Sequence, residues 1–282
     1  MSENIRAMGG ELFNYHEAKR FNFNGSKIES VELTNGEKIE GNLFVSAIDL
    51  SKTIDMVEGH QLRNAYKHRI KSIENTVSTF LLNVVLKPQS MAHLNHNIYH
   101  LVNHDVWAGP FYNEKTWPES VAIFGNTNAK QPEYTENFTA MGYMRYEECE
   151  KWMNTKSIIP NDVNYRGDDY EAFKIEKAEK LLDLIEKRLP GTRAKVQSYT
   201  CATPLTYRDY IGSRDGTLYG ALKDYKEPLK TFITPRTKVE NLFLTGQNLN
   251  LHGVLGVTVS SVVTCSEILG NPNLIETIKD SQ

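Results

Sequence analysis

Residues 241–257 read NLFLTGQNLNLHGVLGV. The run Leu242–Leu244 is apolar and predicts a buried strand, while the apolar stretch behind the glycine-spaced turn predicts the last helix of the chain. Gly246, Gly253 and Gly256 carry no side chain, so the backbone at these positions can approach a ligand closely. The unpaired amides that open a helix after Gly256 favour a polar or anionic group. The segment therefore predicts half of a cofactor site.

Composition excludes several classes of protein. A chain of 282 residues that is 40% hydrophobic and 24% charged can bury a sizeable core and should hold one or two domains. The net charge is -3 and no block of Lys and Arg occurs, which argues against a nucleic-acid partner. Cys149, Cys201 and Cys265 are widely spaced, and we expect free thiols because the pattern fits neither a disulfide framework nor a zinc knuckle.

Nothing in the sequence predicts insertion into a membrane. No apolar run reaches the length of about 18 to 20 residues that a transmembrane helix needs. The first residues, Met-Ser-Glu-Asn, do not form a signal peptide. The expected location is cytoplasmic.

The first fifty residues predict a succession of short strands. Strand-like runs cover residues 11–16, 18–23, 27–33 and 38–47. Asn24-Gly25 separates two of these runs, and Asn-Gly is a strong signal for a tight hairpin. On these residues alone, an ordinary antiparallel meander accounts for the pattern.

The middle of the chain predicts a separate domain. Residues 51–58 and 61–73 are expected to be helical, and residues 77–86 form a continuous apolar run that predicts a buried strand. Residues 168–189 predict the clearest helix, with apolar side chains on one side and charged side chains on the other.

A tyrosine-bearing segment follows this domain pattern. Thr203-Pro204 is expected to end a strand and to begin a helix, since Pro is favoured in the first helical turn. Tyr207, Tyr210 and Tyr219 come next. Each tyrosine alone is accounted for by packing with its hydroxyl at a wet edge, but as a set they favour a pocket.

The order of these motifs resembles one family. The segment Thr203-Pro-Leu-Thr206, the Gly-x-x-Tyr-Gly element that ends at Gly220, and the series strand, Gly-Gln, His-Gly, Gly-Val, helix are similar to the C-terminal part of the FAD-dependent phytoene desaturase and all-trans-retinol 13,14-reductase family. The resemblance implies a mixed α/β fold, an FAD/NAD(P)-binding flavoprotein fold with an inserted substrate domain of mixed sheet and helices. It implies an FAD portion at 1–50 and 235–282 around a substrate domain at 51–234.

The same resemblance implies the site residues. FAD would be contacted by the residues Ala18, Gly246, Gln247, Asn248, Gly253, Gly256 and Val257, with Ala18 at the adenine and the strand at 45–47 returning beside the cofactor. The substrate would be contacted by Tyr207, Tyr210, Tyr219 and His252. Two interpretations of His252 stay open, because beside a glycine it either binds the cofactor or substrate or only braces the turn. No catalytic acid or base is assigned.

The activity implied is hydride transfer between the flavin ring and a carbon–carbon bond of a hydrophobic polyene, such as a carotenoid or retinoid. The sequence departs from the family in one respect, since no Gly-x-Gly-x-x-Gly is present. The flavoprotein fold is therefore expected to be incomplete, with FAD held weakly by this chain alone or not retained at all. The expectation is the C-terminal portion of an enzyme that either is truncated at its start or is completed by a separate N-terminal half. Self-association and peripheral membrane contact are also expected.

Two alternatives remain open at this stage. The first is a non-catalytic remnant of the fold that binds apolar ligands or a partner protein. The second is an amine-oxidase-like flavoenzyme, because the glycine turn does not itself specify a substrate.

Half of the histidines lie close together, at His93, His96, His100 and His104. On a helix, the last three would share a face and could bind zinc. The apolar residues between them favour a strand instead, and side chains along one strand face point in parallel and rarely converge on one ion. We therefore predict strand histidines and no metal site.

Overall fold

The structure is a computed structural model that describes residues 1–157 and 166–281. Its strands are β1 (Ala18–Asn24), β2 (Lys27–Leu33), β3 (Lys38–Glu40), β4 (Phe44–Ser46), β5 (Ser78–Leu86), β6 (Ile98–Leu101), β7 (Ser120–Asn128), β8 (Gln131–Met144), β9 (Val196–Ala202) and β10 (Leu242–Leu244). Its α-helices are α1 (Ser2–Ala7), α2 (Leu50–Asp55), α3 (Asn64–Lys71), α4 (Asp168–Arg188), α5 (Thr192–Lys195), α6 (Pro204–Tyr210), α7 (Pro228–Thr231), α8 (Gly253–Leu269) and α9 (Leu274–Asp280). Short 3₁₀ helices cover Tyr146–Trp152 and Arg214–Gly216. The mixed α/β class that the sequence predicts is confirmed.

The chain forms two compact units. The terminal unit combines Met1–Glu74 with the chain from Ala221 onward, and the central unit is Asn75–Gly220. Each unit has its own buried apolar cluster.

The terminal unit contains two small sheets. β1, β2 and β3 form an antiparallel sheet, and the predicted hairpin at Asn24-Gly25 is confirmed. β4 pairs in parallel with β10, which lies far along the chain. The core of this unit is built from apolar residues of both ends of the chain, among them Phe21, Ile28, Ile54, Leu242 and Leu244.

Two strand predictions in this unit are wrong. Residues 38–47 are not one strand, because β3 pairs with β2 whereas β4 leaves that sheet to pair with β10. Residues 11–16 form no strand, and Tyr15 has φ 61, a left-handed conformation that interrupts an extended chain.

The central unit is built on one antiparallel sheet in the order β6-β7-β8-β5-β9. One face of this sheet packs against α4, where Leu181 and Ile185 are fully buried against Phe80 and Phe138 of the strands. The predicted helix at 168–189 is confirmed as α4.

The predicted change from strand to helix at Thr203-Pro204 is also confirmed. β9 ends at Ala202 and α6 begins at Pro204. The Thr203 side chain accepts a hydrogen bond from the Leu205 amide at 3.2 Å, and the Thr206 hydroxyl accepts one from the Thr203 amide at 3.2 Å. These two bonds fix the point at which the helix begins.

The last long helix begins earlier than the sequence indicates. α8 starts at Gly253 and not after Gly256. His252 is extended, with ψ 175, and Gly253 has φ 75, so the chain turns into the helix at the glycine itself. The amides of the first turn are therefore those of residues 253–256.

None of the described helices is by itself both long and apolar enough to cross a bilayer. α8 and α9 satisfy that test of length and composition only as a pair, with a bend of 107° between them. Cys149, Cys201 and Cys265 are free, as predicted.

Candidate functional site

The glycine turn of the terminal unit begins at the end of the parallel strand pair. The Thr245 amide donates a hydrogen bond to the Ser46 carbonyl at 2.9 Å, which continues the pairing of β10 with β4. Gly246 comes next with φ 95, and a Cβ added there would lie 3.4 Å from the Ala47 carbonyl oxygen. Glycine adopts this left-handed conformation without strain, and its lack of a side chain lets the backbone lie close to Ala47.

A cavity of about 170 Å³ lies in the same unit. Its lining includes Ala18, Phe44, Val45, Ser46, Ala47 and Leu242. The structure therefore brings the predicted adenine contact, Ala18, together with the predicted returning strand at 45–47. Gly246 does not line the cavity, but a Cβ added to it would touch Ala47, which does.

An unsatisfied hydroxyl lies next to the turn. The Oγ1 atom of Thr245 is buried and has no hydrogen-bond partner within the described residues. A buried hydroxyl without a partner costs free energy of roughly 1 to 3 kcal/mol, so such groups call for an explanation. A polar ligand group at the turn would satisfy it.

The next part of the turn is held by internal hydrogen bonds. The Asn248 side chain is buried and accepts a hydrogen bond from the Ala221 amide at 2.9 Å. The Lys223 ammonium donates to the carbonyls of Asn248 at 2.6 Å, Leu249 at 2.9 Å and Thr231 at 3.2 Å. Burial lowers the pKa of Lys223 to about 8. Asn248 thus has a structural role in the turn, and Lys223 clamps it.

Sequence reasoning missed Lys223. Its partners are backbone carbonyls, which no side-chain pattern announces, and it lies well before the glycine segment in the chain. Two lysines, Lys223 and Lys226, lie between the Tyr-Gly element and Pro228, and nothing in the local sequence distinguishes them.

The start of α8 offers an open approach. A Cβ added to Gly253 would meet no atom of the described residues within 4 Å. His252 is exposed and makes no side-chain cap to the first turn. Gly256 has a different role, since a Cβ there would lie 2.5 Å from the Leu251 carbonyl carbon. Gly256 is thus required for packing, whereas Gly253 leaves room for a ligand at the first amides.

Two further predicted cofactor residues are placed by the same turn. Gln247 is half-buried between Gly246 and Asn248, and Val257 is half-buried just after the first turn of α8. Their roles stay predictions.

The predicted substrate tyrosines lie in the central unit, and His252 lies in the terminal unit. The Tyr207 hydroxyl is buried and is hydrogen-bonded to the Thr79 hydroxyl at 2.7 Å. Tyr210 is 51% exposed. Burial raises the pKa of Tyr219, and so do the neighbouring Tyr143 and Tyr99 hydroxyls. Tyr207 and Tyr219 therefore both adjoin the central sheet, on its side that carries Thr79.

The histidine segment is partly a strand. β6 covers Ile98–Leu101, so the strand prediction is confirmed for His100, while His96 and His104 lie outside the strand. In residues 1–157 and 166–281, no three His, Cys, Asp or Glu side chains are grouped as metal ligands would be.

Comparison with known proteins adds two findings to this geometry. No protein-family model matches the chain. A solved structure of an oxidoreductase from Methanosarcina mazei superimposes with a TM-score of 0.55 and 12% identity, over 94% of this chain and 51% of that one. At this identity the match shows the fold alone, which is the mixed α/β fold of an oxidoreductase.

Sequence similarity is more specific. The chain is 28% identical over 170 residues to the all-trans-retinol 13,14-reductase of Danio rerio, covering 59% of this chain and 25% of that protein. For the Homo sapiens protein of the same name the identity is 28% over 167 residues, covering 56% and 26%. The predicted resemblance is confirmed: the chain is related to the all-trans-retinol 13,14-reductases. The match spans about a quarter of the length of these curated relatives.

Proposed function

We propose that this chain is the C-terminal portion of an FAD-dependent oxidoreductase that acts on a carbon–carbon bond of a retinoid or a similar polyene. One observation carries the proposal. Ala18 and the strand at 45–47 line one cavity of the terminal unit, in a chain related to all-trans-retinol 13,14-reductases. These are the positions that the family resemblance implies for the cofactor.

The residues of the terminal unit fit a cofactor with one flat apolar end and one polar chain. Ala18, Phe44 and Leu242 give the cavity an apolar wall. The Thr245 hydroxyl lacks a partner within the described residues and would donate to a polar atom at the turn. The first amides of α8, with open space at Gly253, would face an anionic group.

A bound flavin would supply hydride transfer, which no protein side chain can perform. The protein's part is to hold and orient the cofactor and the substrate, and to exclude water from the site. The clamp from Lys223 fixes the carbonyls of Asn248 and Leu249, so the turn keeps one conformation. We assign no catalytic acid or base, because the reaction as proposed needs orientation and a dry site from these residues.

The experiment is a flavin titration of the full chain. FAD fluorescence is followed as protein is added, and the absorption spectrum is then recorded after desalting. Quenched fluorescence with a shifted flavin band is expected, even where desalting removes part of the cofactor. If folded protein, checked by circular dichroism, neither quenches nor shifts FAD, the proposal is contradicted.

A second step separates the substrate classes. Where flavin binds, the reduced complex is mixed without oxygen with all-trans-retinol or with an amine series. Reoxidation by the polyene alone supports the proposed substrate. Flavin reduction by an amine would instead favour the amine-oxidase alternative.

A further inference from the structure

The sheet of the central unit has a second face, opposite to α4. The pairing register defines which residues point to it, because directly paired residues of antiparallel strands share a face. On β5 they are Thr79, Leu81, Asn83 and Val85. Their partners on the other strands are Tyr143, Met141, Thr139 and Asn137 on β8, Ala122, Phe124 and Asn126 on β7, Tyr99 on β6, and Ala202, Thr200 and Ser198 on β9.

These paired rows contain no Asp, Glu, Lys or Arg. The chain as a whole is 24% charged, and a water-facing side of an antiparallel sheet normally carries polar and charged side chains. The face is nevertheless not a closed core. Leu81, Met141 and Tyr143 are half-buried and Val85 is 43% exposed. An uncharged, partly open surface of this size favours an uncharged partner.

One row across the five strands is apolar from end to end. It runs through Tyr99, Ala122, Met141, Leu81 and Ala202, one residue from each strand. With neighbouring strands about 4.8 Å apart, the row is roughly 19 Å long. It is one residue wide on β8, β5 and β9 and is widened by Phe124 next to Tyr99, so it matches a narrow and extended ligand.

The borders of the row are polar on β8, β5 and β9, whereas on β7 the border residue is Phe124, whose ring lies edge-on to Tyr99 with the centroids 6.1 Å apart. On one side the Thr139 hydroxyl donates to the Asn83 side-chain oxygen at 2.8 Å, and Thr200 continues that row on β9. On the other side Tyr143 is paired with Thr79, and Thr79 in turn bonds the Tyr207 hydroxyl at 2.7 Å. Tyr219 adjoins Tyr143 and Tyr99. The tyrosines thus supply hydroxyls along one edge of an apolar stripe.

We propose that this row, Tyr99–Ala122–Met141–Leu81–Ala202, binds the polyene chain of the substrate, with the tyrosine edge near its polar end. The inference rests on the proposed function for the identity of the ligand. Dispersion contacts with a conjugated chain would come from Met141, Leu81 and the Tyr99 ring, and no charged group would have to be desolvated. The polar borders would keep the ligand along the row.

The test is binding of all-trans-retinol to the full chain, measured by the change in retinol fluorescence. Met141→Lys places a charge in the row, and Thr139→Lys places the same charge on the same strand and face, two residues away. The Met141 variant should bind retinol at least about tenfold more weakly, since a charge must then be buried under the ligand, while the Thr139 variant should lie within about threefold of the natural chain.

A second pair repeats the comparison on the neighbouring strand. Leu81→Lys should weaken retinol binding as Met141→Lys does, and Asn83→Lys should not. Met141→Gln, which is polar but uncharged, serves if Met141→Lys fails to fold by circular dichroism. Equal effects inside and outside the row, or no retinol binding by the natural chain, would overturn the inference.

The FAD titration keeps this result distinct from the proposed function. Loss of retinol binding with unchanged FAD quenching in Met141→Lys is the expected pattern. An absence of FAD binding with retinol binding confined to the row would contradict the flavoenzyme and leave the apolar-ligand surface in place. Normal FAD binding, with retinol affinity unchanged by the substitutions in the row, would contradict the apolar-ligand surface and leave the flavoenzyme proposal in place.

Discussion

Helix α8 of the terminal unit and helix α4 of the central unit bury opposite kinds of residue. α4 buries Leu181 and Ile185 completely against its sheet. α8 buries Gly256, Ser260 and Thr264 instead, while Val254 is 83% exposed and Leu255 is 76% exposed. A surface helix normally has the arrangement of α4, with its apolar side inward.

The difference follows from what each helix lies against. Small residues let α8 approach the strand pair closely, and the Thr264 hydroxyl donates to the Leu244 carbonyl at 3.0 Å. In contrast, α4 packs large apolar side chains against one face of a five-stranded sheet. The central unit therefore buries the apolar side of α4, whereas the apolar side chains Val254 and Leu255 of α8 are left exposed in the terminal unit. A two-stranded parallel sheet is likewise smaller than such sheets usually are.

The largest effect is expected from the same truncation on the two helices. Leu181→Ala should lower the free energy of unfolding of the central unit by about 2 to 5 kcal/mol, because it leaves a cavity in a packed core. Leu255→Ala should change stability by less than about 0.5 kcal/mol, because its side chain is largely exposed. Urea denaturation of both variants measures the difference. Similar losses of unfolding free energy in the two variants would contradict the exposure of the apolar side chains of α8.

Lys223 gives the next effect, in the terminal unit. Lys223→Met removes a cation from three carbonyls and should cost about 1 to 3 kcal/mol. The exposed Lys226→Met in the same loop is the control and should cost less than about 0.5 kcal/mol. A stable Lys223→Met variant would show that the clamp does not hold the turn.

The same lysine predicts a pH dependence. Burial lowers its pKa to about 8 from the ordinary 10.5, so between these values the unfolded chain binds more protons than the folded chain. The free energy of unfolding should therefore rise as the pH rises from 8 towards 10.5. Urea unfolding of the natural chain and of Lys223→Met across this range tests it, since the variant should lack this contribution. An identical pH profile for the two proteins would contradict the assignment.

How far the sequence predicts the fold depends on whether the partners are local. The hairpin at Asn24-Gly25 and helix α4 follow from signals within one segment, and both are present. The division of residues 38–47 does not, because β4 is set by pairing with β10, about two hundred residues away in the chain. Tyr15 shows the converse, since its left-handed conformation interrupts residues 11–16, whose composition alone favours a strand.

The site shows the same limit. The family resemblance predicts the glycines, Ala18 and the strand at 45–47 as cofactor contacts, and of these Ala18 and the strand line one cavity. The Lys223 clamp and the apolar row of the central sheet were missed. The first depends on backbone acceptors, and the second depends on the strand order, which brings residues from 99 to 202 into one line. Neither is encoded in local spacing.

A smaller change in stability with a specific effect on binding is expected at the start of α8. Gly253 and Gly36 are both left-handed, with φ 75 and φ 89. In Gly253→Ala and in Gly36→Ala, the added Cβ would meet no atom of the described residues within 4 Å. Each should cost about 1 kcal/mol. Only Gly253→Ala should weaken FAD quenching, by about tenfold, because only this position faces the proposed cofactor. Equal FAD affinity in both variants would remove Gly253 from the site.

The smallest change in stability is expected on the outer side of α8. Val254→Lys should leave the free energy of unfolding within about 0.5 kcal/mol of the natural chain. It should also reduce the self-association that the sequence predicts, because it interrupts an exposed apolar surface. Sedimentation velocity measures this, with Lys279→Ala on α9 as a control. A natural chain that sediments as a monomer would contradict self-association.

The most direct test of the account is hydrogen–deuterium exchange of the full chain with and without FAD. Slower exchange is expected in peptides that cover β1, residues 44–48 and residues 245–257, because the first two segments line the cavity of the proposed cofactor site and the third begins with Thr245, which is hydrogen-bonded to Ser46. Peptides of α4 and of the central sheet serve as internal references. Protection confined to other segments, or none at saturating FAD, would contradict the claim that the terminal unit forms the cofactor site.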